Sequence, residues 1–311
     1  MMKRIHILLP LCLALVAALA SCIREELQPC PPLSVKIGIE DKNYVNIDEV
    51  AQLTGGLVSR LDENLPFRSY IQKLYYSLYS IDSAKVVLTR HLHEVQGDAK
   101  EATAYLPEDL GFGEYVLVVW GNIDSEDGIQ RNGAAYDLHT EHVAGYDVYM
   151  TCDTLLYDDT HYDYTVMLER VKGQLLIEAK KLPANIRRSR KAVSRVHGGV
   201  DYRFRYEGGE GEYLVTDYDL EELTVQQGHA LSRTAVAPTL DDEEDSGLYL
   251  RFFDDADAEE PVRQEDNLPV LMERNKITYL QYLYDNGAGE AEVRVWLDDH
   301  WEVLHNLSIE K

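Results

Sequence analysis

The chain of 311 residues carries a net charge of −25, with 45% hydrophobic and 27% charged residues. This much apolar material excludes a disordered polyanion and suffices for about two folded domains. The negative balance excludes nucleic acid as a partner and electrostatic docking on anionic lipid, since both need a basic face.

Lys3 and Arg4 open the chain as a positive region, followed by an apolar run from Ile5 to Ala20 interrupted only by His6 and Pro10. A membrane-spanning helix needs about 20 apolar residues, and this run falls short. It closes instead on Leu19-Ala20-Ser21-Cys22, a small-residue cleavage site with cysteine in the first mature position. That is the pattern of a bacterial lipobox, so residues 1–21 read as a lipoprotein signal peptide. Cys22 would take a diacylglyceryl group on its thiol and a further acyl chain, such as palmitate, on the new amine. Each buried CH₂ contributes about 0.8 kcal/mol, and stable anchoring takes more than one chain. The plain alternative is a secretory signal with a chance cysteine.

Loss of the signal removes Lys3 and Arg4 and leaves a charge of −27, so membrane attachment has to come from the lipid. Glu25 and Glu26 follow the lipidated position and resemble an acidic export signal that carries some Gram-negative lipoproteins to the outer face of the outer membrane. An acidic linker is the alternative. Residues 22–32, with prolines at 29, 31 and 32, read as an extended spacer.

From Leu33 to Ile39 apolar residues alternate with others, the period of a strand with one buried face. Val45, Ile47, Val50 and Leu53 can line a short helix before Gly55-Gly56. Strands are then predicted over Tyr75–Ile81, Val86–His93 and Ala102–Leu106. Tyr115–Trp120 is apolar on both faces and belongs in the middle of a sheet. Tyr146–Met150 and Tyr162–Leu168 complete a first set.

A second set comprises Leu175–Ile177, Tyr202–Tyr206, Tyr213–Thr216, Leu248–Phe253, Val270–Met272, Ile277–Tyr284 and Ala291–Leu297, with a last strand from Trp301 almost to Lys311. Glu207–Glu212, with its glycines, and Asp285-Asn286-Gly287 are hairpin turns. No helix alternates with the strands, which excludes a parallel α/β fold. The fold class is all-β, with β-sandwich domains over residues 33–170 and 171–311.

Four cysteines are present. Cys12 leaves with the signal and Cys22 is acylated, so Cys30 and Cys152 remain as one possible disulfide that the sequence does not demand. Tyrosine is abundant, at 21 residues, and suits half-buried strands; such a surface can also stack on sugar rings. No nucleophile elbow, phosphate loop, H-E-x-x-H or C-x-x-C is present, so no enzymatic activity and no cofactor are implied. Gly111-Phe112-Gly113 enters a strand and reads as a turn.

His91 and His93 share a strand face, but a solvated edge pair is the simpler account than a metal site. His139 and His142 are weaker still. The run Asp241–Asp245 lacks calcium-loop spacing and reads as an acidic loop. Arg187, Arg188, Arg190, Lys191 and Arg195 form one basic island, read as a solvated loop with docking or proteolysis as alternatives.

Together these segments resemble the fimbrium anchoring subunits of type V pili, the FimB-type family of surface lipoproteins. The carriers are Leu19–Cys22, Cys30-Pro31-Pro32, and Leu106-Pro107 leading to the Gly113–Asn122 strand with its Trp120-Gly121-Asn122 ending. The Leu168–Pro183 passage and the closing Val293–Trp296 strand also fit. The resemblance implies two transthyretin-like sandwiches, a lipid-anchored outer-membrane location at the fimbrium, a role in cell adhesion, and a fimbrial stalk subunit as partner, engaged by β-strand addition. It also implies a part in filament assembly or length control. Arg60 and Arg68 lie between the first strand and the next, and cleavage there would convert an anchor into a polymerising stalk or tip subunit. A glycan-binding surface lipoprotein is the reading from another class.

Overall fold

Period-two alternation over most of the chain after the first 32 residues produces strands, and the computed structural model is correspondingly all-β. It describes residues 31–139, 145–208, 213–219, 228–255, 257–284, 291–297 and 299–306. In chain order the first half holds β1 (Ser34–Ile39), α1 (Ile47–Leu53), β2 (Lys73–Ser80), β3 (Lys85–Glu94), β4 (Ala102–Ala104) and β5 (Gly113–Gly121). The short β6 (Ile129–Gln130) and β7 (Ala135–Asp137) follow, then β8 (Tyr149–Tyr157) and β9 (Asp163–Arg170).

Seven of these strands form one sheet in the order β3-β2-β5-β8-β9-β1-β4. β8 and β9 pair only at Tyr149–Arg170 and Met150–Glu169, so the sheet folds over there and its two arms face each other as a sandwich. Val35, Ile37, Leu78, Leu117, Val119 and Leu168 meet between the arms, almost wholly buried. β5 sits inside the sheet, between β2 and β8, as its two apolar faces require. Its second face carries Val118 and Trp120 into another core.

The second half holds β10 (Gly173–Lys180), β11 (Arg188–Ser194), β12 (Gly199–Asp201), β13 (Tyr206–Glu207), β14 (Tyr213–Asp219) and β15 (Ala230–Val236). After them come β16 (Ser246–Phe253), β17 (Arg263–Val270), β18 (Ile277–Leu283), β19 (Glu292–Leu297) and β20 (His300–Asn306). A five-stranded sheet, β15-β10-β18-β19-β20, lies over a four-stranded sheet, β14-β11-β16-β17. A small sheet, β13-β12-β7-β6, draws strands from both halves. One apolar cluster runs from Trp120 and Met150 through Tyr136 and Val171 to Leu175, Val193, Leu248 and Leu280. No helix among the described residues is long and apolar enough to cross a membrane.

Several sequence expectations are corrected. Tyr202–Tyr206 is not a strand: the Asp201 carboxylate accepts the backbone N–H groups of Arg203 and Arg205, and Phe204 adopts a φ of 56°, which turns the chain. The basic island is not a loop but β11, interior to its sheet. Lys191 is buried there with its ammonium donating to Ser232, and the Arg188 guanidinium stacks 3.9 Å over the Phe253 ring. The strand expected at Val270–Met272 ends at Val270 and begins in the polar stretch at Arg263, where Glu265 is buried as acceptor for the Tyr282 hydroxyl. β15 escaped detection because Ser232, Arg233 and Thr234 interrupt its apolar pattern. The Asp285-Asn286-Gly287 turn lies outside the described residues, but β18 and β19 on either side of it pair antiparallel.

Trp120 is fully buried, and its indole N–H donates to the Gly133 carbonyl at 2.7 Å. Trp120→Ala is expected to destabilise the fold by roughly 3–5 kcal/mol, measured by chemical denaturation. Tyrosines supply a pH dependence. Burial pushes Tyr136 up to about 12 and raises Tyr149, Tyr279 and Tyr282 well above the ordinary value, with carboxylates Asp147, Glu178 and Glu265 beside the last three adding to it. Above pH ~10 the unfolded chain releases phenolic protons that the folded chain retains, so stability present below that pH is lost as pH rises. An absorbance titration at 295 nm should therefore show these tyrosines ionising together with loss of near-ultraviolet circular dichroism.

Candidate functional site

β1 is the first ordered element after the spacer, and its surroundings form the candidate site. Alternation places Val35, Ile37 and Ile39 inward, each almost wholly buried. On one edge β1 pairs in parallel with β9, from Ser34–Asp163 to Ile39–Leu168. On the other it pairs antiparallel with β4, at Val35–Ala104 through Ile37–Ala102. Both rows of backbone groups are therefore engaged, and the strand is clasped rather than draped on an edge.

Beyond β1 the chain crosses to the outer face of the five-stranded sheet as a strap. Ile47 and Val50 of α1, with Val58, pack on Leu176, Ile277 and Tyr279. The Asn46 side-chain amide imitates a strand partner: its Nδ2 donates to the Ile277 carbonyl at 2.8 Å and its Oδ1 accepts the Ile277 N–H at 2.9 Å. The Trp296 indole N–H donates to Glu49, and the Arg233 guanidinium donates to the Leu57 carbonyl at 3.2 Å. The sequence marks the helix correctly, although Val45 is exposed rather than part of its apolar stripe.

A buried ionic knot ties strap, first sheet and second sheet together. Arg170, 3% exposed, ends β9. Its Nε donates to Asp147 at 2.8 Å, its Nη1 to the Asn275 side chain at 2.6 Å, and its Nη2 to the Tyr149 hydroxyl. The Tyr44 ring of the strap stacks 3.9 Å from the guanidinium. Asp41, just after β1, accepts the Arg170 backbone N–H at 2.7 Å and the Asn275 amide at 2.7 Å. Burial opposes the charge on Arg170, but Asp147 and the two tyrosines more than offset it and hold the guanidinium ionised. Lys172, two residues on, is fully buried, and burial pulls its ammonium down to about 8 against the attraction of Asp124 and Asp147. At Gly173 a Cβ would lie 2.2 Å from the Glu273 carbonyl oxygen, so only glycine lets the two backbones approach here. Sequence reasoning missed this knot, because its members are single polar residues scattered over 230 positions with no local period.

Cys22 and Cys30 lie outside the described residues, as does His142. Cys152 is on β8, half-buried against the shared core, with its thiol pushed up to about 11 chiefly by burial. His91 faces Glu126 at 2.8 Å, whereas the His93 ring nitrogen lies 2.9 Å from its own strand's His91 carbonyl. His139 is buried and accepts the Ala237 N–H. Asp241–Glu244 are exposed in a turn, and no cluster of three or more metal-ligating side chains occurs among the described residues. Arg60 lies in the exposed stretch 59–64 and pairs with Asp48 and Glu63, and Arg68 pairs with Asp98 at 2.7 Å.

No protein-family model matches the chain, and no curated protein matches it. Solved structures do. A candidate adhesin from Bacteroides ovatus superposes with a TM-score of 0.52 at 14% identity, over 91% of this chain and 97% of that one. A candidate adhesin from Bacteroides thetaiotaomicron gives 0.51 at 13% identity, over 90% and 100%. This chain shares their fold. The fimbrial anchor protein Mfa2 from Porphyromonas gingivalis is more distant, with a TM-score of 0.40 at 15% identity over 89% and 100%.

Removing the buried central cation of the knot leaves the half-buried Asp147 without its partner. Arg170→Met is expected to cost roughly 3–5 kcal/mol, read from urea unfolding. The simultaneous Asp147→Asn change should recover part of that loss.

Proposed function

We propose that this chain is a non-enzymatic, lipid-anchored protein of the outer-membrane surface that holds a fimbrial filament at its base. It would bind a fimbrial subunit by strand-to-strand contact and so contribute to assembly or length control. The observation that carries this reading is the course of the chain after Cys22. Ten residues of spacer separate that cysteine from Leu33, and β1 follows at once, paired on both edges and buried on its apolar face. Force arriving through a lipid tether would enter a strand paired on both sides, not a frayed terminus. It would then be shared by the parallel β1–β9 pairing and, through the strap, by the second sheet system.

The shared fold with two candidate adhesins and the lipobox support the same reading. A stalk or tip subunit would need to lose residues before Arg60 or Arg68. Here that segment is held twice, by β1 and by the strap, which favours its retention.

Intact-mass analysis of the protein from its native surface is expected to show an acylated chain beginning at Cys22; a body beginning after Arg60 would overturn the anchor role. Cys22→Ser should release filaments from cells into the medium. Co-purification from the native surface is expected to recover fimbrial subunits, and recovery of glycan-uptake components in their place would favour a binding module.

A further inference from the structure

We infer that the end of the first sandwich where β1 begins is a lipid-contacting surface, seated on the bilayer that holds the acyl chains. This rests on the reading that Cys22 is lipidated. Strand register gathers the relevant loops. β1 starts at Ser34 opposite Asp163, the first residue of β9, and β4 ends at Ala104 opposite Val35. β2 ends at Ser80 opposite Tyr115, and β5 starts at Gly113 opposite Tyr157, the last residue of β8. Loops 81–84, 105–112 and 158–162 therefore surround the point where the spacer joins the sandwich.

This end exposes five large apolar side chains, four on loops and Leu156 on β8. Tyr105 is 70% exposed, Phe112 48%, Leu156 45%, Ile81 41% and Tyr162 38%. Contacts tie three of these segments to the strand ends: Phe112 stands edge-on to Tyr157 at 5.0 Å, the Ile81 N–H donates to the Glu114 carbonyl at 2.9 Å, and the Ser34 N–H donates to the Tyr162 carbonyl at 2.7 Å. At the opposite end, Ile71, Ile123 and Val148 are fully buried, and one large aromatic, Tyr146, is exposed beside Lys73. Aromatic and aliphatic side chains grouped on loop tips suit the bilayer interface, where rings sit at headgroup level.

Chain length identifies the occupant. The eleven residue steps from Cys22 to Leu33 span at most about 40 Å when fully extended, so this end cannot stray further than that from an acylated Cys22. The tether keeps the local lipid concentration high, and a weak apolar contact then suffices for seating. Asp82, Glu108, Asp109, Glu114, Asp158 and Asp159 flank the same loops, so anionic lipid is not the attraction. Insertion of the apolar tips is.

Full-length acylated protein in vesicles of phosphatidylcholine and phosphatidylethanolamine tests this by hydrogen–deuterium exchange, compared with soluble Cys22→Ser protein. Exchange in loops 81–84 and 105–112 is expected to slow severalfold in vesicles, with no change in loop 95–101. Adding phosphatidylglycerol should weaken that protection. The Tyr105→Ser/Phe112→Ser variant should lose it while keeping its acylated mass and its thermal unfolding. Unchanged exchange in a protein shown by mass to be acylated overturns the inference and leaves the anchor reading standing. Protection of these loops by purified fimbrial subunits in place of vesicles also overturns it. An unacylated mass removes the anchor reading, and this inference with it.

Discussion

The buried Arg170 guanidinium is the constraint on which the architecture turns. It sits where the chain leaves its first sheet, and a full positive charge in that position is tolerable only if several acceptors converge on it. Asp147 and Tyr149 come from the approach to β8, Asn275 from the turn before β18, and the Tyr44 ring from the strap. The partners come from three separate parts of the chain, so satisfying one side chain fixes the relation of the first sheet, the strap and the second sheet. A loosely joined pair of sandwiches would leave this cation exposed or unpaired.

The same requirement gives β1 its special position. Asp41 closes the knot directly after β1 and binds both the Arg170 backbone and Asn275, so the strand cannot slide without breaking buried hydrogen bonds. The strap then continues the attachment with apolar contacts from Ile47 and Val50 and with the two-way amide bond of Asn46 to Ile277. Under the proposed anchoring, force on the N-terminus would follow this route. Neither hydrophobic burial nor edge pairing alone would supply it, because both could be peeled one residue at a time.

Residues that look alike in sequence play different parts in the fold. The basic island reads in sequence as a solvated loop, yet its strand is interior, with Lys191 buried and Arg188 stacked on Phe253. Conversely, Tyr105, expected within the Ala102–Leu106 strand, and Phe112, expected in a turn, both stand out into solvent. Charge count and hydrophobicity describe a residue, whereas exposure depends on which strands close over it. Tyr202–Tyr206 shows the same point locally, since one carboxylate at Asp201 overrides an alternating pattern by capturing two backbone N–H groups.

What the sequence by itself determined is whatever has a short period or a short motif. The lipobox expectation at Cys22, the all-β class, the central position of Tyr115–Trp120 and the helix before Gly55-Gly56 each depend on residues within about ten positions, and local sterics and one-sided burial suffice to specify them. Tertiary structure alone decided the clasp on β1, the strap across the second sheet, the Arg170 knot and the apolar rim. All four depend on contacts between residues distant in the chain, in the knot as far apart as Asp41 and Asn275. Their free energy exists only once the sheets have assembled, and no periodicity in a linear chain records it.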